Sequence, residues 1–326
     1  MKASARAGAN IAFVKYWGNR DAALHLPLNS SISMTLDNAF TTTTVAFERG
    51  LPADRLWLNG SPADESVRAR ASAHLDRLRA LAGRGGPARV VSENSFPTGA
   101  GIASSASGFA ALTAAAAAAL GLALSPAELG RLARLASGSA CRSIYGGFVE
   151  WQAGADDATS VALPLAPPER WPLVDIIAIV SSGVKQVSSE EGHARAHSSP
   201  YLPARLAALP AALAQARAAI QACDLAALGE VAEAEALSLH AIAMTSRPSA
   251  LYWEPATLEL IRAVRAWREA GLPVYFSIDA GPNVHLLTLP EQRAAVLAQL
   301  ARMPAVTQAL VCGPGPGLAL CTGHLF

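Results

Sequence analysis

Cysteine is scarce in this 326-residue chain, and its four positions, Cys141, Cys223, Cys312 and Cys321, form no C-x-x-C pair and share no nearby histidine at ligand spacing. That argues against a structural zinc site and leaves reduced, mostly buried thiols as the expectation. Net charge is equally small. Lys and Arg number 26 against 25 Asp and Glu, so no global field draws the chain onto nucleic acid or an anionic membrane, and any phosphate site has to be local. Hydrophobic residues make up 52% of the chain, much of it alanine, yet no apolar run reaches the roughly 18 to 20 residues of a membrane span. The N-terminal segment lacks a basic stretch leading into an apolar run and a cleavage site. A water-soluble, cytoplasmic protein is expected.

What is present is a change of pattern along the chain. Length favours two domains over one, because single cores stop growing near roughly 250 to 300 residues. β-rich runs at 10–15, 30–36, 41–48 and 55–58 are separated by turns and read as an antiparallel sheet. Residues 63–81 are helical in period, 89–95 read as a further strand, and an Ala/Leu helix expected to be buried all round ends near Gly121. Ser125-Pro126-Ala127-Glu128 holds a cap, a proline at the first helical position and an acid three residues after the cap, so another helix starts there and runs to Ser137-Gly138. A boundary is placed in the Pro-rich stretch 164–172, dividing the chain into 1–173 and 174–326. Beyond it come a buried strand at 174–180, helices at about 202–222, 224–243 and 255–270, and strands at 273–278 and 284–288. A helix at 290–302 and a last strand near 307–312 follow. The fold class expected is α+β.

Gly99, Gly101 and Gly108 surround a serine-rich stretch where a loop gives way to the Ala/Leu helix. Unpaired backbone N–H groups and the positive end of the helix dipole favour a phosphate there, and Ser104 and Ser105 add hydroxyl donors or a ligand to Mg²⁺. No Gly-Lys-Ser/Thr follows, so this is not a Walker loop. On composition alone the segment serves equally well as an ordinary Gly/Ser start to a helix.

The longer run Phe96-Pro-Thr-Gly-Ala-Gly-Ile-Ala-Ser-Ser-Ala-Ser-Gly108 resembles the phosphate loop of the GHMP kinase superfamily. More specific blocks accompany it: Asn10-Ile-Ala-Phe-Val-Lys-Tyr-Trp-Gly18 with Arg20-Asp21, Pro27-Leu-Asn-Ser-Ser-Ile-Ser33, Ser92-Glu-Asn-Ser-Phe-Pro97, Gly138-Ser-Ala-Cys-Arg-Ser143, Val187-Ser-Ser189 and Asp279-Ala-Gly-Pro-Asn283. In this order they resemble the mevalonate diphosphate decarboxylase family, from residue 10 to residue 283. The resemblance implies a GHMP kinase-like fold. Its N-terminal domain would be ribosomal protein S5 domain 2-like and its C-terminal domain ferredoxin-like, with a cleft between them. It also implies ATP and Mg²⁺, a phosphorylated mevalonate as small-molecule substrate, and a homodimer.

The reaction so implied phosphorylates a tertiary hydroxyl at C3, after which phosphate and carbon dioxide leave and a terminal alkene forms. Asp279, after a strand and opening a Gly-Pro turn, is implied to accept or orient the hydroxyl proton; alone, an Asp-Ala-Gly turn is ordinary turn chemistry. Lys15 is implied to supply positive charge and hold Asp279 ionised, although outside the motif it reads as a surface lysine closing a strand. Arg142, whose fork suits a carboxylate, and Ser139 are implied to bind the mevalonate carboxylate. Tyr16, Trp17, Asn19 and Ser189 fall around the phosphorylated tail, with Trp17 serving equally as core. Gly99, Gly101, Ser104, Ser105, Ser107 and Lys185 are implied at the ATP phosphates, with Ser105 offered to Mg²⁺.

Two departures bear on the substrate. Asn19 stands where most diphosphate-specific members carry a lysine, and Glu190 stands where some bacterial members carry an arginine. Each lost or inverted charge contact weakens a second phosphate by about 1.5–3 kcal/mol if desolvated and less if wet. The expectation is therefore mevalonate 5-phosphate giving isopentenyl phosphate, with mevalonate 5-diphosphate giving isopentenyl diphosphate as the alternative. A mevalonate 3-kinase without decarboxylation is disfavoured because Asp279 and Lys15 both match the decarboxylase pattern. A non-catalytic interaction module is disfavoured because neither the loop nor the Asp279 motif is lost. His193 and His197 read as a solvated pair in a polar loop rather than a metal pair, and Gly313-Pro-Gly-Pro-Gly317 as a turn between strands.

Overall fold

The computed structural model describes residues 1–96, 104–181, 183 and 186–326. Its first strand, Lys2–Val14, pairs antiparallel with Ser31–Phe47, so the runs expected at 30–36 and 41–48 are one strand. A register shift between Gly8 and Asn10 makes this possible, and it requires glycine: a Cβ on Gly8 would lie 2.5 Å from the Leu36 carbonyl oxygen. The shift turns the strand over. Ala5 and Ala7 pack toward the helices of the first half, whereas Ala9, Ile11 and Phe13 join a core shared with the second half.

The first sheet runs in the order Ala319–Cys321, Lys2–Val14, Ser31–Phe47, Ala88–Asn94, Arg55–Leu58, Ser61–Pro62, with Phe148–Trp151 also on Ser31–Phe47 and Ala162–Ala166 beyond it. It is mixed rather than antiparallel. Arg55–Leu58 lies parallel to Ala88–Asn94 because the helix Glu65–Ala82 provides the crossover between them. The Ala/Leu helix is Ser104–Leu120, buried except at Ser104, Ser105, Gly108, Phe109 and Ala118. The capping box of Ser125 and Glu128 starts Pro126–Arg134, and a 3₁₀ turn, Gly138–Ile144, follows.

The second sheet is antiparallel, in the order Tyr275–Ser277, Val284–Thr288, Val174–Ile179, Gln308–Cys312. One face packs on the helices Pro255–Glu269 and Arg293–Leu300 through Leu260, Val264 and Val296. The other face, with Leu202–Ala222 and Leu225–Thr245, enters the shared core through Ile177, Leu287, Leu209 and Leu228. The chain then returns to the first sheet. Gly315 N–H donates to Thr35 O at 2.7 Å and Gly147 N–H donates to Gly315 O at 2.9 Å, so 313–317 is a crossover between sheets rather than a simple turn. It delivers Ala319–Cys321 to the edge of the first strand, which leaves the last residues of 174–326 outside the second sheet. All four cysteines are free, Cys141 and Cys312 buried and the other two partly exposed. Among the described residues no helix is long and apolar enough to cross a membrane.

Candidate active site

Lys15 follows the first strand and Asp279 follows Tyr275–Ser277; the shared core brings these strand ends together. Lys15 Nζ donates to Asp279 Oδ1 at 2.6 Å and to Ser277 Oγ at 2.7 Å. A buried ammonium is tolerated only when paired and hydrogen-bonded, and Lys15 is 1% exposed. Burial drives its pKa below the usual lysine value, with Asp279 and Glu235 opposing the fall. For Asp279 burial acts upward, but the charges of Lys15, His285 and Arg142 outweigh it and hold the carboxyl below the usual range. The Asp279 side chain is 25% exposed, and its Oδ2 takes no partner among the described residues.

The peptide of Lys15 is held as firmly as its ammonium. Its N–H donates to Glu235 Oε2 at 3.0 Å, and its carbonyl accepts from Asn29 Nδ2 at 2.9 Å and Arg205 Nη2 at 3.0 Å. Arg205 and Glu235, both buried, pair at 2.9 Å. Ser277 Oγ donates to the Ala12 carbonyl at 3.0 Å, and His240 Nε2 lies 3.1 Å from the Asp279 carbonyl oxygen. Sequence pattern gives no role to Ser277, Arg205, Glu235 or His240, and Asn29 enters it only as part of the block Pro27–Ser33. Arg205, Glu235 and His240 sit in ordinary helical runs, and only the packing of two helices against the first strand gives them a task.

Arg142, in the 3₁₀ turn, donates from Nη1 to Ser31 Oγ at 2.7 Å and from Nε and Nη2 to Asn10 Oδ1 at 3.2 and 2.9 Å. Asn10 is oriented in turn by its bond to Ser143 Oγ at 2.8 Å. A guanidinium has five N–H donors; these three bonds leave two for an anion. Burial lowers the Arg142 pKa, with Asp279 among the opposing charges.

Lys15, Asp279 and Arg142 line one cleft of about 600 Å³, together with Tyr16, Trp17, Asn19, Ser104, Ser105, Ser139 and Ser189. That volume suits small molecules. Tyr16 donates its hydroxyl to Asn19 Oδ1, and its ring occupies space that a Cβ on Gly138 would fill, 2.7 Å away. Another part of the wall is apolar, formed by Leu56, Leu58, Val67, Val90 and Leu112 with Ser92 and Asn94. Its strand residues alternate in and out, which the sequence shows only as β periodicity.

Several expectations change. Ser107 does not reach the cleft: it is fully buried, its Oγ lies 2.7 Å from Thr41 Oγ1, and it donates to the Ser104 carbonyl at 3.4 Å. One turn into the helix, that side chain faces the strand Ser31–Phe47. Gly99, Gly101 and Lys185 lie outside the described residues. Glu190 is not an unopposed anion, since Arg70 lies 3.8 Å from it. His193 and His197 are not a solvated pair. A capping box of Ser188 and Glu191 starts the helix Ser189–Arg195, whose His193 stacks on Tyr16 at 4.0 Å and tilts against Trp17 at 4.7 Å. His193 Nδ1 accepts the Gly18 N–H at 2.9 Å, and His197 Nε2 lies 2.7 Å from the Asn19 carbonyl oxygen.

Fold and site together define the class: an α+β enzyme of the GHMP kinase-like type, with a carboxylate–ammonium pair in the cleft between its halves. A family model for the diphosphomevalonate decarboxylase-like N-terminal domain matches residues 7–162, and one for the mevalonate 5-diphosphate decarboxylase C-terminal domain matches 175–311. The diphosphomevalonate decarboxylase of Aspergillus fumigatus is 40% identical over 317 residues, covering 90% of this chain and 78% of that one. The mevalonate diphosphate decarboxylase of Staphylococcus aureus superposes with a TM-score of 0.93 at 39% identity over 98% of both chains. MDDEF in complex with MVAPP, AMPPCP and magnesium superposes equally well, TM-score 0.93 at 39% identity, over 98% of this chain and 99% of that one. The chain belongs to the mevalonate diphosphate decarboxylase family. These relatives favour the diphosphate over the monophosphate expected from Asn19 and Glu190. The physical reason on the side of Glu190 is that it is not a free repulsive group, since it faces Arg70; Asn19 is neutral and tied to Tyr16, so it lacks a cation there but adds no repulsion.

Proposed function

We propose that this protein is an ATP-dependent carboxy-lyase that converts mevalonate 5-diphosphate to isopentenyl diphosphate. The observation that carries this reading is the Lys15–Asp279 pair at 2.6 Å, in one cleft with Arg142. Oδ2 of Asp279 accepts or orients the proton of the C3 hydroxyl, while Lys15 neutralises charge on the transferring phosphoryl group. Arg142 and Ser139 hold the substrate carboxylate. Once C3 is phosphorylated, the carbon–carbon bond to the carboxylate breaks; its electrons form the alkene, carbon dioxide departs, and phosphate leaves with the C–O pair.

Tyr16, Trp17, Asn19 and Ser189 surround the phosphorylated tail. Gly99, Gly101, Ser104, Ser105 and Lys185 take the ATP phosphates, and the apolar wall with Ser92 and Asn94 suits an adenine. The donors fit Mg²⁺ of a particular kind. Among the described residues no group of three His, Cys, Asp or Glu could hold a metal, and Mg²⁺ is commonly held through substrate phosphates with few protein ligands. Ser105, exposed on the first turn of Ser104–Leu120, would be such a ligand. The bound ion would neutralise nucleotide charge. The same reading makes the protein a cytoplasmic homodimer with small-molecule partners.

The test is a coupled assay with ATP and Mg²⁺ and each of mevalonate, its 5-phosphate and its 5-diphosphate, following ADP and carbon dioxide. Equal yields of both, with kcat/KM highest for the diphosphate, are expected. ADP without carbon dioxide would indicate a 3-kinase, and no ADP with any of the three would refute the proposal.

A further inference from the structure

Among the groups of the cleft that the reaction above does not use is a histidine. His193 lines the cleft beside Tyr16, Asn19 and Ser189, with its ring set by stacking on Tyr16 and by contact with Trp17. Nδ1 accepts the Gly18 N–H at 2.9 Å. A ring nitrogen that accepts carries no proton, so the neutral imidazole keeps its hydrogen on Nε2. Nε2 has no partner among the described residues, and the ring is only half-buried. Burial first, then His25, Arg142 and Arg205, all disfavour a second proton on this ring. On its own helix, Glu190 is turned to Arg70 at 3.8 Å and Glu191 is bonded to Ser188, so neither supplies the ring with a counter-charge. The result is an uncharged N–H at a fixed angle in the cleft wall.

We propose that His193 donates this N–H to a phosphate oxygen of the substrate's 5-diphosphate tail, making it a substrate-binding residue that sets tail specificity. The inference rests on the diphosphate reading above. A neutral N–H to an ionised oxygen gives a short, directional bond. Because Nδ1 is anchored to the Gly18 backbone and the ring to Tyr16, the donor is aimed before substrate arrives, which limits the ordering cost of binding.

Two isosteric substitutions separate the nitrogens. His193→Asn keeps an acceptor near the Nδ1 position and removes the far donor; His193→Gln places an amide N–H near the Nε2 position. With the full chain, His193→Asn should raise KM for mevalonate 5-diphosphate ~10-fold, with kcat within ~2-fold and KM for ATP unchanged, and His193→Gln should return KM to within ~3-fold of wild type. The Asn variant should also narrow the preference for diphosphate over monophosphate. An unchanged KM in His193→Asn overturns the inference, because the Gly18 bond would then be the whole role. Equal impairment in both variants also overturns it, because packing would be the role. Wild-type protein that fails to turn over the diphosphate sinks the proposed function itself, an outcome distinct from normal wild-type turnover with insensitive variants.

Discussion

The floor and the rim of the cleft treat charge in opposite ways. On the floor, Lys15 and Asp279 meet at 2.6 Å with the lysine side chain 2% exposed, and the Arg205–Glu235 pair at 2.9 Å locks the peptide that carries Lys15. At the rim, Arg70 and Glu190 approach only to 3.8 Å with side chains 40% and 65% exposed. Removing one partner of a buried pair leaves an uncompensated charge, whereas solvent screens an exposed pair almost to nothing. A rim charge is therefore weak evidence about the substrate, and a floor charge is strong evidence about the chemistry. This is why Glu190 pointed toward the monophosphate in the sequence and not in the structure.

Substitutions should reproduce that gradient. Lys15→Met should have the largest effect, lowering kcat by ~10²–10³-fold, in line with loss of a preorganised positive group. Burial would then act on Asp279 with only His285 and Arg142 opposing it, so its pKa rises and the acidic limb of the pH–rate profile moves to higher pH. A profile that keeps its acidic limb would break the link between the two residues. Next is Glu235→Ala, which leaves Arg205 buried without its partner and should cost about 3–5 kcal/mol of stability, measured by denaturant unfolding. Because Glu235 also accepts the Lys15 N–H, kcat should fall as well.

A sealed group outside the cleft lining sharpens the contrast. His74, fully buried with Nε2 2.8 Å from Thr113 Oγ1, is pushed down to about 3 by burial, then by Arg77 and Arg70. Unfolded histidine titrates near 6.5, so between roughly 6.5 and 3 the unfolded chain binds more protons. The His74 contribution is complete above that window and is lost as pH falls through it, by up to about 1.4 kcal/mol per pH unit. Urea unfolding at pH 7.5 and 5 should show the loss, and His74→Phe should lessen it. The smallest effect belongs to the rim: Glu190→Gln should change kcat/KM for the diphosphate by less than ~3-fold. A tenfold gain would restore Glu190 as a repulsive group.

Local chemistry made part of this legible in advance. The cap at Ser125, the strand 284–288 and the helix 202–222 follow from short-range pattern, whereas Lys15, Asp279 and Arg142 stand out only through the family resemblance of the blocks that hold them. What stayed hidden depends on contacts far apart in sequence. Glu235 lies 220 residues from the N–H it accepts, and nothing in its alanine-rich helix marks it. The polarity of the segment around His193 suggests a solvated loop, but Tyr16 and Trp17 both pack against the ring. Ser107 shares the serine-rich character of its neighbours, and only its helical phase turns it to Thr41. The return of 319–321 to the first sheet likewise answers to an open edge of the first strand, formed more than 300 residues earlier in the chain.

The pair at the floor is tested most directly by a single-turnover rapid-quench comparison of wild type and Asp279→Asn, using mevalonate 5-diphosphate and ATP labelled at the γ-phosphate. Wild type should release labelled phosphate and carbon dioxide in equal amounts, while Asp279→Asn should still bind substrate but transfer at least ~10³-fold more slowly. An asparagine variant that transfers within tenfold of wild type would contradict the assignment of Asp279 to the C3 hydroxyl.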